Sequence, residues 1–177
     1  TVEKISGFKY VSPGIFRSAE VKYKEETGFT LINCLPAEQY KEFFIDTCVE
    51  MQEGRTIQAG EKYVAVIGSR VAEKMFSKEI SIGNKIQINK VEFKIVGIVE
   101  EIGNNQDDNQ ISIPLEIARE IFHEPDKVDT IIAQVKYTSD IPMLQEKIEK
   151  ELKRKRGDTG FEVVTASQIL EQINQIL

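Results

Sequence analysis

Polar and apolar residues alternate through residues 82–100, IGNKIQINKVEFKIVGIVE. Ile86 and Ile88 stand between Lys85, Gln87 and Asn89, and Phe93 and Ile95 interleave with Glu92 and Lys94. A period of two gives each strand one apolar face, so this stretch reads as a hairpin with Asn89 and Lys90 at its turn. Gly97 lies inside a second apolar run, Ile95 to Val99. A residue without a side chain at such a place marks a bulge, a bend or a close backbone approach, and it lets a small sheet curl toward a barrel.

Elsewhere the period changes repeatedly. The segment before Leu35 predicts strands over about residues 9–23 and 28–35, with Pro13-Gly14 as a bend and residues 25–28 as a turn. QYKEFFIDT predicts a short helix that turns Phe43, Phe44 and Tyr40 inward, and EGRTIQAGEK reads as a polar loop. In KYVAVIGSRVAEKMF the apolar run Val64 to Ile67 gives way to Val71, Ala72, Met75 and Phe76 at helical spacing. That is a buried strand feeding a helix, with Gly68 at the turn and Ser69 as N-cap. EEIGNNQDDNQ is an acidic loop, and ISI leads into a helix with Pro114 at its first position and an inner stripe of Leu115, Ala118, Ile121 and Phe122. TIIAQVKY predicts a strand, and Ile141, Leu144, Ile148 and Leu152 a helix ending in the basic run Lys153 to Arg156, opposite the negative end of its dipole. FEVVT predicts a last strand. TASQ opens a final helix with capping-box spacing, continued by Ile169, Leu170, Ile173 and Ile176.

The order of these elements is α+β. No internal repeat or low-complexity linker is present, so a two-lobed arrangement requires a middle block inserted into an outer domain. The chain begins at Thr1 without an initiator Met and stops at Leu177 inside an amphipathic pattern, so both ends read as cut from something longer.

Composition narrows the function. With 177 residues, 41% hydrophobic and 29% charged, the chain can bury a core. A formal net charge of −6 argues against a surface built mainly to grip nucleic acid or anionic lipid. No apolar run approaches the ~18 residues that would span a bilayer. The two cysteines, Cys34 and Cys48, have no metal-ligand or redox spacing, and one disulfide between them is an option.

Each candidate for chemistry has a plain structural reading beside it. VAVIGSR has the strand, glycine and helix order of a phosphate-binding turn, but one glycine without GxGxxG or GxxxxGKS reads as an ordinary connection. Glu100, Glu101, Asp107 and Asp108 supply hard oxygen ligands without EF-hand spacing, as a solvated loop also would. His123 is the single histidine. That excludes a two-histidine zinc site or relay, and a triad with Ser112 or Cys34 would lack a nucleophile elbow. Lys153 to Arg156 could bind phosphate or a membrane surface, or be a solvated helix end. No catalytic, cofactor-binding or metal residue is therefore assigned, and the chain reads as non-enzymatic without a cofactor.

Residues 54–101, GRTIQAGEKYVAVIGSRVAEKMFSKEISIGNKIQINKVEFKIVGIVEE, carry a resemblance. Gly54-Arg55 before the strand, VAVIG with a helix closing on Met75-Phe76, Gly83 ahead of Ile86 and Ile88, and Phe93 before IVGI resemble the extracytoplasmic core domain of MacB-like and FtsX-like ABC transporter permeases. The likeness continues through ISIPLEIA and more loosely to FEVVTASQIL. It implies an insert between the first two membrane helices, with a porter-like α/β lobe from residues 1–45 plus 126–177 and an inserted Sabre-like lobe from residues 46–125 that contains the curled hairpin.

The resemblance further implies that the domain passes on motion driven by a cytoplasmic ABC ATPase subunit. Other implied partners are a second permease subunit and a protein outside the membrane, with no nucleic acid. Its place would be the extracytoplasmic face of the cell membrane, and its role substrate export, efflux or partner activation. The rival expectation is a freestanding soluble two-lobed module that binds a ligand in a cleft.

Overall fold

Alternating residues produce the strands they predict, and the strands then pair in an order that local sequence does not carry. A computed structural model describes residues 2–157 and 160–168, so the stripe Ile169, Leu170, Ile173 and Ile176 lies outside the described residues. The strands are β1 (Phe8–Tyr23), β2 (Glu26–Leu35), β3 (Met51–Gly54), β4 (Val64–Ile67), β5 (Lys85–Ile88), β6 (Val91–Val99), β7 (Gln110–Pro114) and β8 (Thr130–Val135). The α-helices are α1 (Tyr40–Asp46), α2 (Ser69–Glu73), α3 (Asn105–Asp108), α4 (Leu115–Ile121) and α5 (Ile141–Arg156).

The chain divides into two compact units, Ser12–Ile131 and Thr1–Val11 with Ile132–Leu177. In the larger unit the strands close on themselves. β2 runs beside β7, β7 beside β4, β4 beside β6, β6 beside β5 and β5 beside β1, while β1 pairs back onto β2. Two of these neighbours are parallel, β2 with β7 and β4 with β6, and the other four are antiparallel. A ring of this kind leaves no open edge among its six strands. Its core is supplied by one face of each strand: Ile15, Ala19 and Val21 of β1, Ile32 and Cys34 of β2, Ile86 and Ile88 of β5, Phe93 and Ile95 of β6, Ile111 and Ile113 of β7. Leu115, Ile117 and Ala118 of α4 join the same core.

Gly97 makes the curl. Ala65 pairs with Ile95 and Val66 with Gly97, so Val96 is one residue too many on β6 and the pattern inverts there. Before the bulge Phe93 and Ile95 face the core, and after it Ile98 does. One extra residue in a period-two strand must reverse the faces beyond it.

Several expectations need correction. Pro13 and Gly14 lie within β1 instead of bending it, just outside the register with β2 that begins at Ile15. Residues 51–54 form a strand, β3, on β6. Gly68, not Ser69, is the N-cap of α2, and Pro114 ends β7 and caps α4 from outside it. Residues 161–165 form no strand. Thr165 and Gln168 do make the reciprocal capping bonds, Gln168 N to Thr165 Oγ1 at 3.2 Å and Thr165 N to Gln168 Oε1 at 2.8 Å.

Val21 and Lys22 pair with β5 and Leu31 to Leu35 with β7, so residues 12–45 share a unit with the middle block. In the smaller unit Val2, Ile5 and Leu144 are buried, Gly7 lies against Leu144, and Lys136 N donates to Gly7 O at 2.9 Å. Gly157 at φ 72° closes α5 in the left-handed conformation that favours glycine.

Candidate functional site

Several polar side chains of the larger unit are bonded to its own backbone. Tyr40, wholly buried at the start of α1, places its hydroxyl where the parallel strands β2 and β7 end. Leu35 N donates to it at 3.1 Å, and its one proton is offered to Asn33 O at 2.9 Å and Ile113 O at 2.8 Å. Burial pushes the phenol well above its ordinary value, so it stays a neutral donor.

Arg17 on β1 is the other built cluster. Its Nε donates to Glu124 Oε2 at 2.8 Å, and its Nη atoms reach Glu124 and Asp129. Phe16 N also donates to Asp129 Oδ2, at 3.1 Å. Partial burial opposes ionisation of Asp129, but the Phe16 N–H and the Arg17 guanidinium together hold its carboxyl below the usual range. Arg55, one residue past β3, makes a two-pronged pair with Glu61 at 2.8 and 2.6 Å, which lowers the Glu61 carboxyl.

The residues singled out from sequence do not converge. Asp108 is buried and accepts from Ile102 N at 2.7 Å and Gly103 N at 3.0 Å, and Asp107 accepts from Asn104 and Gln110 side chains. Glu100 and Glu101 are exposed. The acidic loop therefore uses its two aspartates as loop staples. Among the described residues no three His, Cys, Asp or Glu side chains gather as a metal site. A Cβ on Gly68 would stand 2.3 Å from Asp108 O, so the turn before α2 is filled by the chain itself.

Cys34 and Cys48 are both free, one buried and one exposed. Burial pushes the Cys34 thiol far up, the opposite of what a nucleophile needs. His123 follows the end of α4 at φ 56°. Arg154 pairs with Glu151 at 2.8 Å and Arg156 lies over the Phe161 ring, both in the last turns of α5.

Sequence reasoning missed Arg17 with Glu124 and Asp129, and the role of the Tyr40 hydroxyl. No local signal marks either one. Arg17 lies 107 residues from Glu124, and Tyr40 lies 73 residues from Ile113.

The larger unit is thus a closed β-ring of mixed parallel and antiparallel strands. The model of the MacB-like periplasmic core domain matches residues 1–151. An uncharacterized ABC transporter permease of Methanocaldococcus jannaschii is 32% identical over 99% of this chain and 44% of its own length. The macrolide export ATP-binding/permease protein MacB of Bdellovibrio bacteriovorus is 30% identical over 97% of this chain and 28% of its own. The chain thus spans less than half of either relative.

Among solved structures, the extracellular domain of the noncanonic ABC-type transporter YknZ from Gram-positive bacteria superposes with a TM-score of 0.75 at 18% identity, covering 93% of this chain and 85% of that one. The periplasmic region of MacB from Actinobacillus actinomycetemcomitans gives 0.77 at 15% identity, over 98% and 79%. This chain belongs to the MacB-like periplasmic core domain family. Its α+β fold is that of these neighbours, and no helix among the described residues is long and apolar enough to cross a membrane.

Proposed function

We propose that the chain is the extracytoplasmic domain of an ABC transporter permease subunit, non-catalytic itself, that carries motion produced by ATP hydrolysis to substrate export or to activation of a partner outside the membrane. The observation that supports this is the family match over residues 1–151. The closed ring suits the role in that it leaves no open strand edge to pair with another chain. The partners in this reading are a cytoplasmic ABC ATPase subunit and a second permease subunit, both reached through membrane helices, and a protein on the outer side. Nucleic acid is not among them.

The porter-like lobe of residues 1–45 plus 126–177 and the Sabre-like lobe of residues 46–125 are part of the same proposal. Insertion of a short flexible linker at 45/46 or 125/126 tests them, with coupling expected to weaken while folding persists.

The experiment for the function itself uses the full-length protein with its ATPase partner in vesicles. Replacing this domain with a short linker should leave nucleotide hydrolysis measurable and abolish transport or partner activation. Transport that survives the replacement would overturn the coupling role.

A further inference from the structure

The outward face of α5 differs in charge from the rest of this acidic chain. Leu144 is buried and Ile148 and Leu152 are half-buried, which fixes the inner side of the helix. On the outer side Met143, Lys147, Lys150 and Arg154 recur at i, i+4, i+7 and i+11, one stripe of a helical surface. All four are exposed, as are Lys153, Lys155 and Arg156 in the last turn. Glu149 and Glu151 are half-buried on the flanks, so Glu146 is the one acidic side chain fully exposed on the helix.

Arg154 is held by Glu151, whose carboxyl Lys150 also helps to lower, but Lys147, Lys150 and the neighbouring Lys153 make no salt bridge among the described residues. Met143, 61% exposed, adds an apolar anchor at the head of the stripe. A basic stripe headed by an exposed methionine offers cations to anionic headgroups and one apolar side chain to insert between them.

We propose that this face of α5 docks on an anionic lipid surface. The proposal rests on the permease reading only in that a permease places such a surface within reach. Charge complementarity carries the rest: the whole chain bears a net charge of −6, so nothing but a local basic face would hold it to anionic headgroups.

The test is co-sedimentation of the 177-residue chain with vesicles of phosphatidylglycerol mixed with phosphatidylcholine, and with phosphatidylcholine alone, at low and high salt. Partition should favour the anionic vesicles and fall with salt. The triple variant K147Q/K150Q/K153Q should partition about tenfold or more weakly. The control K74Q/K78Q/K90Q, which removes as many exposed lysines from the other unit, should match the parent. Circular dichroism melts confirm that both variants fold.

Equal partition to neutral vesicles, equal loss in the control, or no partition to anionic vesicles at low salt would each overturn the proposal. So would binding of the face to an acidic peptide in place of vesicles. Vesicle partition is read without nucleotide or transport, so its failure leaves the permease reading standing, and loss of coupling in the full-length protein leaves the lipid contact standing.

Discussion

Gly54 and Gly97 face one another across the pairing of β3 with β6, and the backbone around them leaves no room for a side chain. A Cβ on Gly97 would lie 2.2 Å from Arg55 O, and one on Gly54 2.3 Å from Val96 O. Arg55 N donates to Val96 O at 2.9 Å, so the two strands cannot separate without losing that bond. Gly97→Ala should therefore lower the unfolding free energy by about 1–3 kcal/mol, the usual range for overpacking a tight site. Gly54→Ala adds the strain of an alanine at φ 74° and should cost more. Urea unfolding midpoints measure both. An unchanged midpoint for Gly97→Ala would mean that β3 does not hold to β6 in solution.

Tyr40→Phe tests the hydroxyl that ends the β2–β7 pair. Removing the oxygen leaves Leu35 N–H buried without an acceptor, which costs about 1–3 kcal/mol. The loss should be the same at neutral and mildly alkaline pH, because burial keeps the phenol protonated. A measured loss close to zero would show that water replaces the hydroxyl.

How much of this was legible depended on how far apart the interacting residues are. The hairpin of β5 and β6, the strand–helix order of β4 and α2, and the amphipathic α5 all follow from patterns within a few residues, and the structure has each of them. β3 was hidden because Gln52, Glu53 and Gly54 are exposed, so no alternation announces a strand that is held by one edge of β6. FEVVT misled in the other direction, since β propensity records a fit to a half-buried surface and does not supply a partner. Closure of the ring rests on the parallel pairing of Leu31 to Leu35 with Gln110 to Pro114, segments with no shared local signal. The same distance hides Arg17 with Asp129, while the basic end of α5 was visible as a run, though not as the one-sided face it forms.

The hairpin turn offers a change in the stabilising direction. Asn89 and Lys90 both have positive φ, 47° and 69°, the geometry of a two-residue turn that prefers Asn followed by Gly. Asn already suits its place and Lys does not. Lys90→Gly should raise stability by up to about 1 kcal/mol, the sense expected when a strained non-glycine residue leaves the left-handed region. A lower thermal midpoint would show that the Lys90 side chain makes a contact worth more than the strain.

The two thiols should separate cleanly in reactivity. Only the thiolate attacks a disulfide reagent, and burial holds Cys34 protonated while Cys48 stands in solvent. Ellman's reagent should titrate one thiol per native chain, and a second only after denaturant is added. Cys48→Ser should abolish the fast phase. Two fast thiols in the native protein would mean that the core around Cys34 opens readily.

Acid should loosen the loop that Asp129 holds. Its carboxyl is depressed in the folded state below the ordinary value of 3.8, because the Phe16 N–H and Arg17 outweigh the cost of burial. A carboxyl lowered on folding contributes stability that is whole above its unfolded pKa and is lost as pH falls through its folded one. That contribution is therefore constant at neutral pH and declines only below about pH 4. Arg17 stays charged throughout, raised by its two carboxylate partners against its own burial, so it adds no slope of its own. Asp129→Asn keeps one acceptor for Phe16 N and removes the charge opposite Arg17. It should cost about 1–3 kcal/mol at neutral pH and flatten the acid limb of a stability–pH curve. Glu124→Gln, which leaves Asp129 in place, should preserve more of that limb. If Asp129→Asn loses stability on acidification as steeply as the parent, the acid response belongs to other carboxylates, and the Arg17 cluster holds the loop by hydrogen-bond geometry alone.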